Sequence, residues 1–349
     1  MRLSARCAAL AAGVFMSVSL TGCTARLERF STSFLDVFDT ASTIVAYTEN
    51  EKAFQESAGA YKDLLTEYHQ LYDIYHTYEG MNNLKTINDN AGIAPVEVDS
   101  RIIDLLQFGR EMYDLSDGKV NICFGSVLSV WHDYREEGLS DPESAQLPPV
   151  DELTAAAAHT NMDDLIIDAD ASTVYLADPD MSLDVGSIAK GYAVEQVSAQ
   201  FADKGLSNAA FSIGGNVCTV GWKEGKEGNS WIIGLENPDR SQEDYLMTLK
   251  LSGLSVVTSG DYQRYYTVDG HQYHHIIDPE TLMPAEYMHA VSVISDRSGY
   301  ADGLSTTLFL MPVEEGLSLV ESLPDVEAVW VTNDNEIVTS SGFDAYRNP

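Results

Sequence analysis

Near its middle the chain reads Asp184-Val185-Gly186-Ser187-Ile188-Ala189-Lys190-Gly191-Tyr192, which predicts a strand end, a turn of small residues and the start of a helix. The first turn of a helix carries free N–H groups and a positive dipole end, and both attract anions. Gly186 and Gly191 would allow a ligand or another backbone to approach closely. Lys190 is a poor choice beside a positive dipole unless a phosphate lies nearby. The stretch is compatible with an anion site, but also with a plain strand–turn–helix that carries a solvated Lys.

The segments on either side alternate between helical and strand-like patterns. Helical spacing of apolar residues predicts helices over 51–76, 100–115, 188–201 and 299–311. Runs of β-branched and aromatic residues predict a strand over 34–48, a hairpin from 165–167 and 173–176, and several short strands within 210–293. Residues 79–98 and 138–150 are loop-like. This order predicts an α+β fold in a single domain over residues 34–349.

Three further segments carry residues with chemical potential. In Phe211-Ser212-Ile213-Gly214-Gly215-Asn216-Val217, a Gly pair ends a strand and permits positive φ and close backbone approach. In Tyr273-His274-His275-Ile276-Ile277-Asp278-Pro279, adjacent His side chains on a strand point to opposite faces, so one inward His is expected rather than a chelating pair.

The third segment, residues 300–309, is predicted to be helical, and it places Asp302 and Thr306 four residues apart on one face. A carboxylate and a hydroxyl are hard oxygen ligands that suit Mg²⁺. A helix with a stabilising N-terminal Asp is the alternative for this segment on its own.

The composition limits the class of ligand. The 349 residues are 44% hydrophobic and include 54 acidic against 20 basic side chains, a formal net charge of -34. Such a surface repels nucleic acid and anionic lipid, so nucleic acid is excluded as a partner. An anionic ligand would require a local site of metal, Lys and backbone N–H groups.

The first residues have the features of an export signal. Arg2 and Arg6 precede an apolar run that ends in Leu20-Thr21-Gly22-Cys23, which is similar to a bacterial lipobox. We therefore expect residues 1–22 to be a signal peptide, Cys23 to be lipidated and residues 23–33 to be a tether. An ordinary secretory signal is the alternative. Beyond Cys23 the sequence shows no apolar run long enough to span a membrane, and pairing of Cys123 with Cys218 is left open.

Together and in this order, the four segments resemble the ApbE family of FAD:protein FMN transferases. The family pattern D-[VL]-[GS]-[AGS]-I-A-K-G-Y matches residues 184–192, and G-G-N, Y-x-H-I-[IL]-D-P and A-D-[AG]-L-[ST]-T follow. Residues 75–88 and 121–131 resemble two upstream family segments. Asn121 and Cys123 replace the usual Asp and Thr, and Leu282-Met283 replaces a Gly-containing turn. The resemblance covers most of the chain and implies a compact mixed α+β fold.

The resemblance also implies roles for individual residues. FAD would be contacted by Asp184, Lys190, Phe38, Tyr78, the backbone of Cys123, Phe124 and Gly125, and His275 beside the flavin or pyrophosphate. Mg²⁺ would be bound by the Ser187 carbonyl, Asp302 and Thr306. His275 or a carboxylate such as Asp302 would be the catalytic base.

The implied reaction is Mg²⁺-dependent transfer of FMN from FAD to a Ser or Thr hydroxyl, with release of AMP. The implied partners are exported or membrane-bound acceptor proteins, reached by an extracytoplasmic lipoprotein. Two alternatives are an FAD pyrophosphatase, in which water replaces the acceptor, and a flavin-binding lipoprotein without catalysis. Release of AMP without an acceptor would indicate the first, and FAD kept intact in Mg²⁺ would indicate the second.

Overall fold

An eight-stranded antiparallel sheet forms the centre of the protein, which a computed structural model describes over residues 26–349. The helices of this part are α1 Glu51–Tyr72, α2 Leu84–Asp89, α3 Ser100–Leu115, α4 Gly125–Ser140, α5 Val150–Ala157, α6 Ala189–Phe201, α7 Ser298–Phe309 and α8 Val313–Ser322. The strands are β1 Glu28–Val37, β2 Thr40–Thr48, β3 Val96–Glu97, β4 Leu165–Asp168, β5 Thr173–Leu176, β6 Ala209–Ile213, β7 Asn216–Val220, β8 Trp231–Glu236, β9 Tyr245–Leu251, β10 Ser255–Gly260, β11 Tyr265–Val268, β12 His271–His274, β13 Met288–Ser295, β14 Glu327–Thr332 and β15 Ile337–Thr339.

The central sheet runs in the order β1-β2-β6-β7-β10-β13-β14-β15. Alternate residues of one strand point to opposite faces. Val257 of β10 therefore packs into the main core with α1, α6 and α7, while Val256 packs into a second cluster with the β8–β9 hairpin. Burial on both faces also explains the nearly continuous buried runs of β13 and β14.

A smaller lobe packs beside this core. Helices α4 and α5 and the β11–β12 hairpin share their own hydrophobic cluster, which includes Phe124, Trp131 and Tyr266. Strands β3, β5 and β4 form a separate three-stranded sheet. The α+β prediction is therefore confirmed. In the described part of the chain no helix has the length and apolar character needed to cross a membrane.

The N-terminal strand differs from the sequence prediction in two ways. Strand β1 begins at Glu28, so residues 28–33, predicted as tether, belong to the sheet. The single strand predicted over 34–48 is instead a hairpin that turns at Phe38 and Asp39, whose φ angles are 52° and 50°. Alternation of Phe30, Thr32 and Phe34 provides the period-two pattern that the tether assignment overlooked. Cys23 and the predicted signal lie outside the described residues.

Several other boundaries are corrected by local chemistry. Helix α1 ends at Tyr72 rather than near His76, because the Asp73 carboxylate accepts bonds from the backbone N–H groups of Tyr75 and His76 and starts a turn. The predicted loop over 79–98 contains helix α2, which is started by a capping box at Asn83. Cys123 and Cys218 are both buried free thiols, so the two do not pair.

Candidate active site

A large cavity lies between the main core and the smaller lobe and has a volume of about 980 Å³. This volume is near the upper end of ligand pockets, about 300–1,000 Å³, and suits a large ligand. One wall is a single face of α4, since its lining residues recur at helical spacing. They are Leu128, Trp131, His132, Arg135, Glu136 and Leu139.

Most of the predicted site residues line this cavity. The structure brings together eight of them: Phe38, Phe124, Asp184, Ser187, Lys190, His275, Asp302 and Thr306. Phe38 is fixed at the strained β1–β2 turn, where its N–H donates to His69 Nδ1 over 3.3 Å and the two rings meet edge to face. Positive φ at a bulky residue is rare and marks functional turns.

Three predicted contacts do not line the cavity. Cys123 is fully buried, with its Sγ 3.7 Å from Met162 Sδ. Gly125 has no room for a side chain, because a Cβ there would lie 2.4 Å from the Ser182 carbonyl oxygen. The Gly125 N–H donates to the Ser182 carbonyl over 3.0 Å. The segment before Asp184, predicted to be a strand end, is irregular, because its backbone bonds to the segment before α4 instead of to a sheet strand. Tyr78 turns away and donates its hydroxyl to Asp73 Oδ2 over 2.6 Å.

A crossing of α6 and α7 builds the centre of the site. A Cβ at Gly191 would lie 2.4 Å from the Ser298 carbonyl oxygen and 2.5 Å from Asp302 Cβ, so only Gly allows this crossing. The Gly191 N–H donates to Asp302 Oδ2 over 2.7 Å. The carboxylate of α7 therefore caps the positive end of α6, which has no side-chain cap of its own. Gly191 serves the approach of another backbone, one of the two uses predicted for it.

A carbonyl oxygen beside this crossing also lacks a donor. Ser187 precedes Ile188, the N-cap residue of α6, so its carbonyl lies outside the helical ladder, whose first bond runs from the Tyr192 N–H to the Ile188 carbonyl. Within residues 26–349 no backbone N–H donates to the Ser187 carbonyl. Thr306 is the one residue of the stretch 301–310 that is only half-buried, and it lines the cavity. Three oxygen donors of the kind that Mg²⁺ prefers are thus open to the same cavity.

The electrostatics of Asp302 suit the binding of a cation. The residue is 6% exposed and has no salt bridge among the described residues. Burial raises its pKa above the usual value, and Lys190 and the Gly191 N–H oppose this only in part. A buried carboxylate without an ion-pair partner is costly. The donor set therefore fits a divalent cation.

The cavity concentrates positive groups in an acidic protein. Its lining includes Lys119, Arg135, Lys190, Arg264 and four of the eight His residues, against five carboxylates. Lys190 Nζ contacts only the Gly186 carbonyl, at 3.4 Å, and Arg264 makes no ion pair within the described chain. These two cations are available to an anionic ligand.

The two adjacent His residues differ in role. His274 is buried, and its Nε2–H donates to the Ala285 carbonyl over 2.7 Å. The half-buried His275 donates from Nδ1 to the Arg264 carbonyl over 3.2 Å, which leaves its Nε2 as the free lone pair. Burial and then the charge of Arg264 hold the pKa of His275 well below its usual value. His275 is therefore neutral near pH 7, as a proton acceptor has to be. Both rings line the cavity, and both ring nitrogens of His274 are engaged in hydrogen bonds to the backbone.

Sequence reasoning missed several residues that the fold brings to this cavity. Arg135 and His132 belong to the α4 face, whose helical spacing could have been recognised. Arg264 lies in a turn and gave no signal. Asn216 was quoted only as part of a turn, yet it lies in the cavity wall with no exposed surface.

Comparisons with known proteins identify the family to which the chain belongs. The sequence profile described as the ApbE family matches residues 38–330. A Klebsiella pneumoniae protein named FAD:protein FMN transferase is 32% identical over 282 residues, covering 80% of this chain and 81% of its own length. A Treponema pallidum protein of the same name is 28% identical and covers 95% and 92%.

A solved ApbE protein from Thermotoga maritima superposes with a TM-score of 0.80 at 27% identity, covering 92% of this chain and all of its own. Flavinyl transferase ApbE from Pseudomonas stutzeri gives 0.75 at 25% identity, covering 93% and 98%. The resemblance inferred from the four motifs is confirmed by the profile, the relatives and the fold: the chain is a member of the ApbE family.

Proposed function

We propose that this chain transfers FMN from FAD to a Ser or Thr hydroxyl of exported acceptor proteins, with Mg²⁺ bound, and releases AMP. The observation that carries the proposal is the meeting of Asp302, Thr306 and Ser187, whose carbonyl has no backbone donor within the described residues, beside Lys190 in one cavity. The names of the curated relatives give the substrate, FAD, and the group transferred, FMN.

The residues suited to Mg²⁺ are Asp302, Thr306 and the Ser187 carbonyl, because they offer hard oxygens and because Asp302 has no other cation. When bound, the ion offsets negative charge on a pyrophosphate and on the departing phosphate. The Gly191 N–H keeps the Asp302 carboxylate in place by holding one of its oxygens.

The cationic side chains would bind and orient the dinucleotide. Lys190 reaches over the first turn of α6, where it would hold a phosphate against the helix N-terminus. Arg264 would contribute a second cation from the smaller lobe. Phosphoryl transfer depends mostly on positioning and charge neutralisation, which these groups provide.

The geometry favours His275 over Asp302 as the base. Its Nε2 is free and neutral, whereas the Asp302 carboxylate is already held by a backbone N–H. In the proposed step the acceptor oxygen forms a bond to the FMN phosphorus and the bridging P–O bond to AMP breaks. The hydroxyl proton passes to His275 Nε2, and AMP leaves with the electron pair of the broken bond.

We further propose that the enzyme is an extracytoplasmic, membrane-anchored bacterial lipoprotein attached through Cys23. The support is sequence alone: a basic start, an apolar run and Leu20-Thr21-Gly22-Cys23. Lipidation would place the enzyme beside acceptors that are themselves exported. Labelling of cells with a fatty-acid probe, with and without Cys23→Ala, tests this part independently of catalysis.

The decisive test of activity is incubation with FAD, Mg²⁺ and a candidate acceptor, followed by intact mass measurement of the acceptor. The expected result is an added FMN, with one AMP released for each acceptor modified, and none after Asp302→Ala. AMP released at the same rate without acceptor would identify an FAD pyrophosphatase instead. FAD recovered intact from both reactions would contradict catalysis altogether.

A further inference from the structure

Asn216 stands out because it is a fully buried amide without a hydrogen-bond partner. Its side chain has 0% exposure, and both Oδ1 and Nδ2 lack a partner among the described residues. Buried amides normally satisfy both atoms, so an orphaned pair requires an explanation.

The sheet around Asn216 makes the amide still more unusual. The Gly214-Gly215 turn, with φ angles of 54° and 91°, starts β7 at Asn216. Across the sheet Asn216 pairs with Ile213 on one side and Val257 on the other, and both belong to the main core. An apolar side chain would suit this row better than an amide does.

What the amide faces indicates its use. Helix α7 packs on β7 and places the Asn216 amide beside the Asp302 carboxylate, without the distance and alignment of a hydrogen bond. Asp302 already uses Oδ2 for the Gly191 N–H. The burial of both amide atoms argues against direct contact with a ligand in the cavity, and points to a role through Asp302.

We propose that Asn216 is a positioning residue for Asp302: its amide N–H closes on the carboxylate when a divalent cation is bound and fixes the orientation in which Asp302 binds that cation. This inference rests on the proposed function, because it takes Asp302 as a metal ligand. Partners of metal ligands typically affect metal affinity by about 10- to 100-fold. The amide would then serve the metal-bound protein, although its unpaired atoms in an apolar row lower the stability of the metal-free protein.

The test compares two buried Asn residues of the same chain. Asn216→Leu keeps the branched shape and removes the orphaned atoms. Asn83 is equally buried but fully bonded, since its Nδ2 donates to the carbonyls of Gln70 and His76 and its Oδ1 accepts from Thr86 N–H. Asn83→Leu is therefore the matched control for loss of a structural amide.

Both measurements are made without FAD. The Tm of each protein is determined in EDTA, and Mn²⁺ binding is then determined by calorimetry or from the electron paramagnetic resonance signal of free Mn²⁺. We expect Asn216→Leu to keep or raise the Tm and to weaken Mn²⁺ binding at least about tenfold. Asn83→Leu should lower the Tm and leave Mn²⁺ affinity within about twofold of wild type, where the protein still folds. A Tm loss in Asn216→Leu equal to that of Asn83→Leu would show a structural role and overturn the inference.

Two further outcomes separate this inference from the proposed function. Unchanged Mn²⁺ affinity in Asn216→Leu, with a raised KM for FAD, would overturn the positioning role while leaving the transferase proposal intact. Failure of the wild-type protein itself to bind Mn²⁺ would remove the metal from the proposed function and the positioning role with it. A lowered kcat that higher Mg²⁺ restores, with KM for FAD unchanged, supports the inference.

Discussion

Replacing Gly191 with Ala tests how closely α6 and α7 have to approach. Replacement of an exposed Gly in a helix interior by Ala usually raises the free energy of unfolding by about 1 kcal/mol. At Gly191 the new Cβ would lie 2.4 Å from the Ser298 carbonyl oxygen and 2.5 Å from Asp302 Cβ. Neither contact is with the free end of a flexible side chain, so the helices themselves have to separate.

The gain in helix stability and the cost of the short contacts can be compared as free energies. Overpacking of this kind costs about 1–3 kcal/mol, and two short contacts with rigid groups place Gly191→Ala at the upper end. Subtracting the helix gain of about 1 kcal/mol leaves a loss of about 2 kcal/mol in the free energy of unfolding. For a domain of this size that corresponds to a Tm lower by about 4–8 °C. Displacement of Asp302 by the separation should also reduce FMN transfer by about 100-fold.

The chain supplies its own control for this experiment. Gly59 lies within α1, and a Cβ there would meet no atom within 4 Å. Gly59→Ala should therefore raise the Tm by about 2–4 °C and leave FMN transfer unchanged. Thermal unfolding of both variants, followed by circular dichroism, gives the comparison. If Gly191→Ala were as stable as Gly59→Ala, the close crossing of α6 and α7 would be refuted.

Three further predictions concern charge, thiols and the loop after α1. Because burial raises the pKa of Asp302, ionisation of this carboxyl group destabilises the metal-free fold. In EDTA, the Tm of wild type should therefore fall relative to that of Asp302→Asn as the pH rises above about 4. A parallel pH dependence of the two Tm values would contradict this. Cys123 and Cys218 are buried free thiols. A soluble form lacking Cys23 should therefore not react with a thiol reagent in the native state, and should react with two equivalents of the reagent per chain in denaturant without reductant. A mass that shows one disulfide in the denatured protein would contradict this prediction. Asp73→Asn removes an acceptor from the Tyr78 hydroxyl, so it should loosen the loop and raise KM for FAD with a smaller change in Tm; unchanged FAD affinity would separate this loop from the site.

Much of the fold could be predicted because its signals are local. Helix α3 spans Ser100–Leu115 as predicted, since its apolar residues recur at helical spacing and Asp99 caps its start. The β4–β5 hairpin was likewise predicted from its two apolar runs. The β1–β2 turn could not be predicted, because Phe38 and Asp39 adopt positive φ without the Gly or Asn that usually announces such a turn.

The site was predictable only where its chemistry is contained in one segment. The Asp302 and Thr306 pair followed from helical spacing. The bond from the Gly191 N–H to Asp302, which holds the carboxylate in place, joins two helices that lie far apart in the sequence and is a tertiary effect. Arg264 and the α4 face reach the cavity only through the packing of the smaller lobe, and no local pattern contains that information.

If Cys23 carries a lipid as proposed, the early start of β1 would limit how far from a membrane the enzyme can work. If Cys23 carries the lipid, the five residue steps from Cys23 to Glu28 span at most about 18 Å when fully extended. Such a linker is shorter than the protein is wide, so the folded domain would stay close to the lipid surface, while its excess of acidic residues is repelled by anionic headgroups. The enzyme would then reach only acceptors close to the membrane surface, which it would meet by lateral diffusion. Lengthening this linker by inserting flexible residues between Cys23 and Glu28 should extend flavinylation to acceptors whose hydroxyl lies further from the membrane.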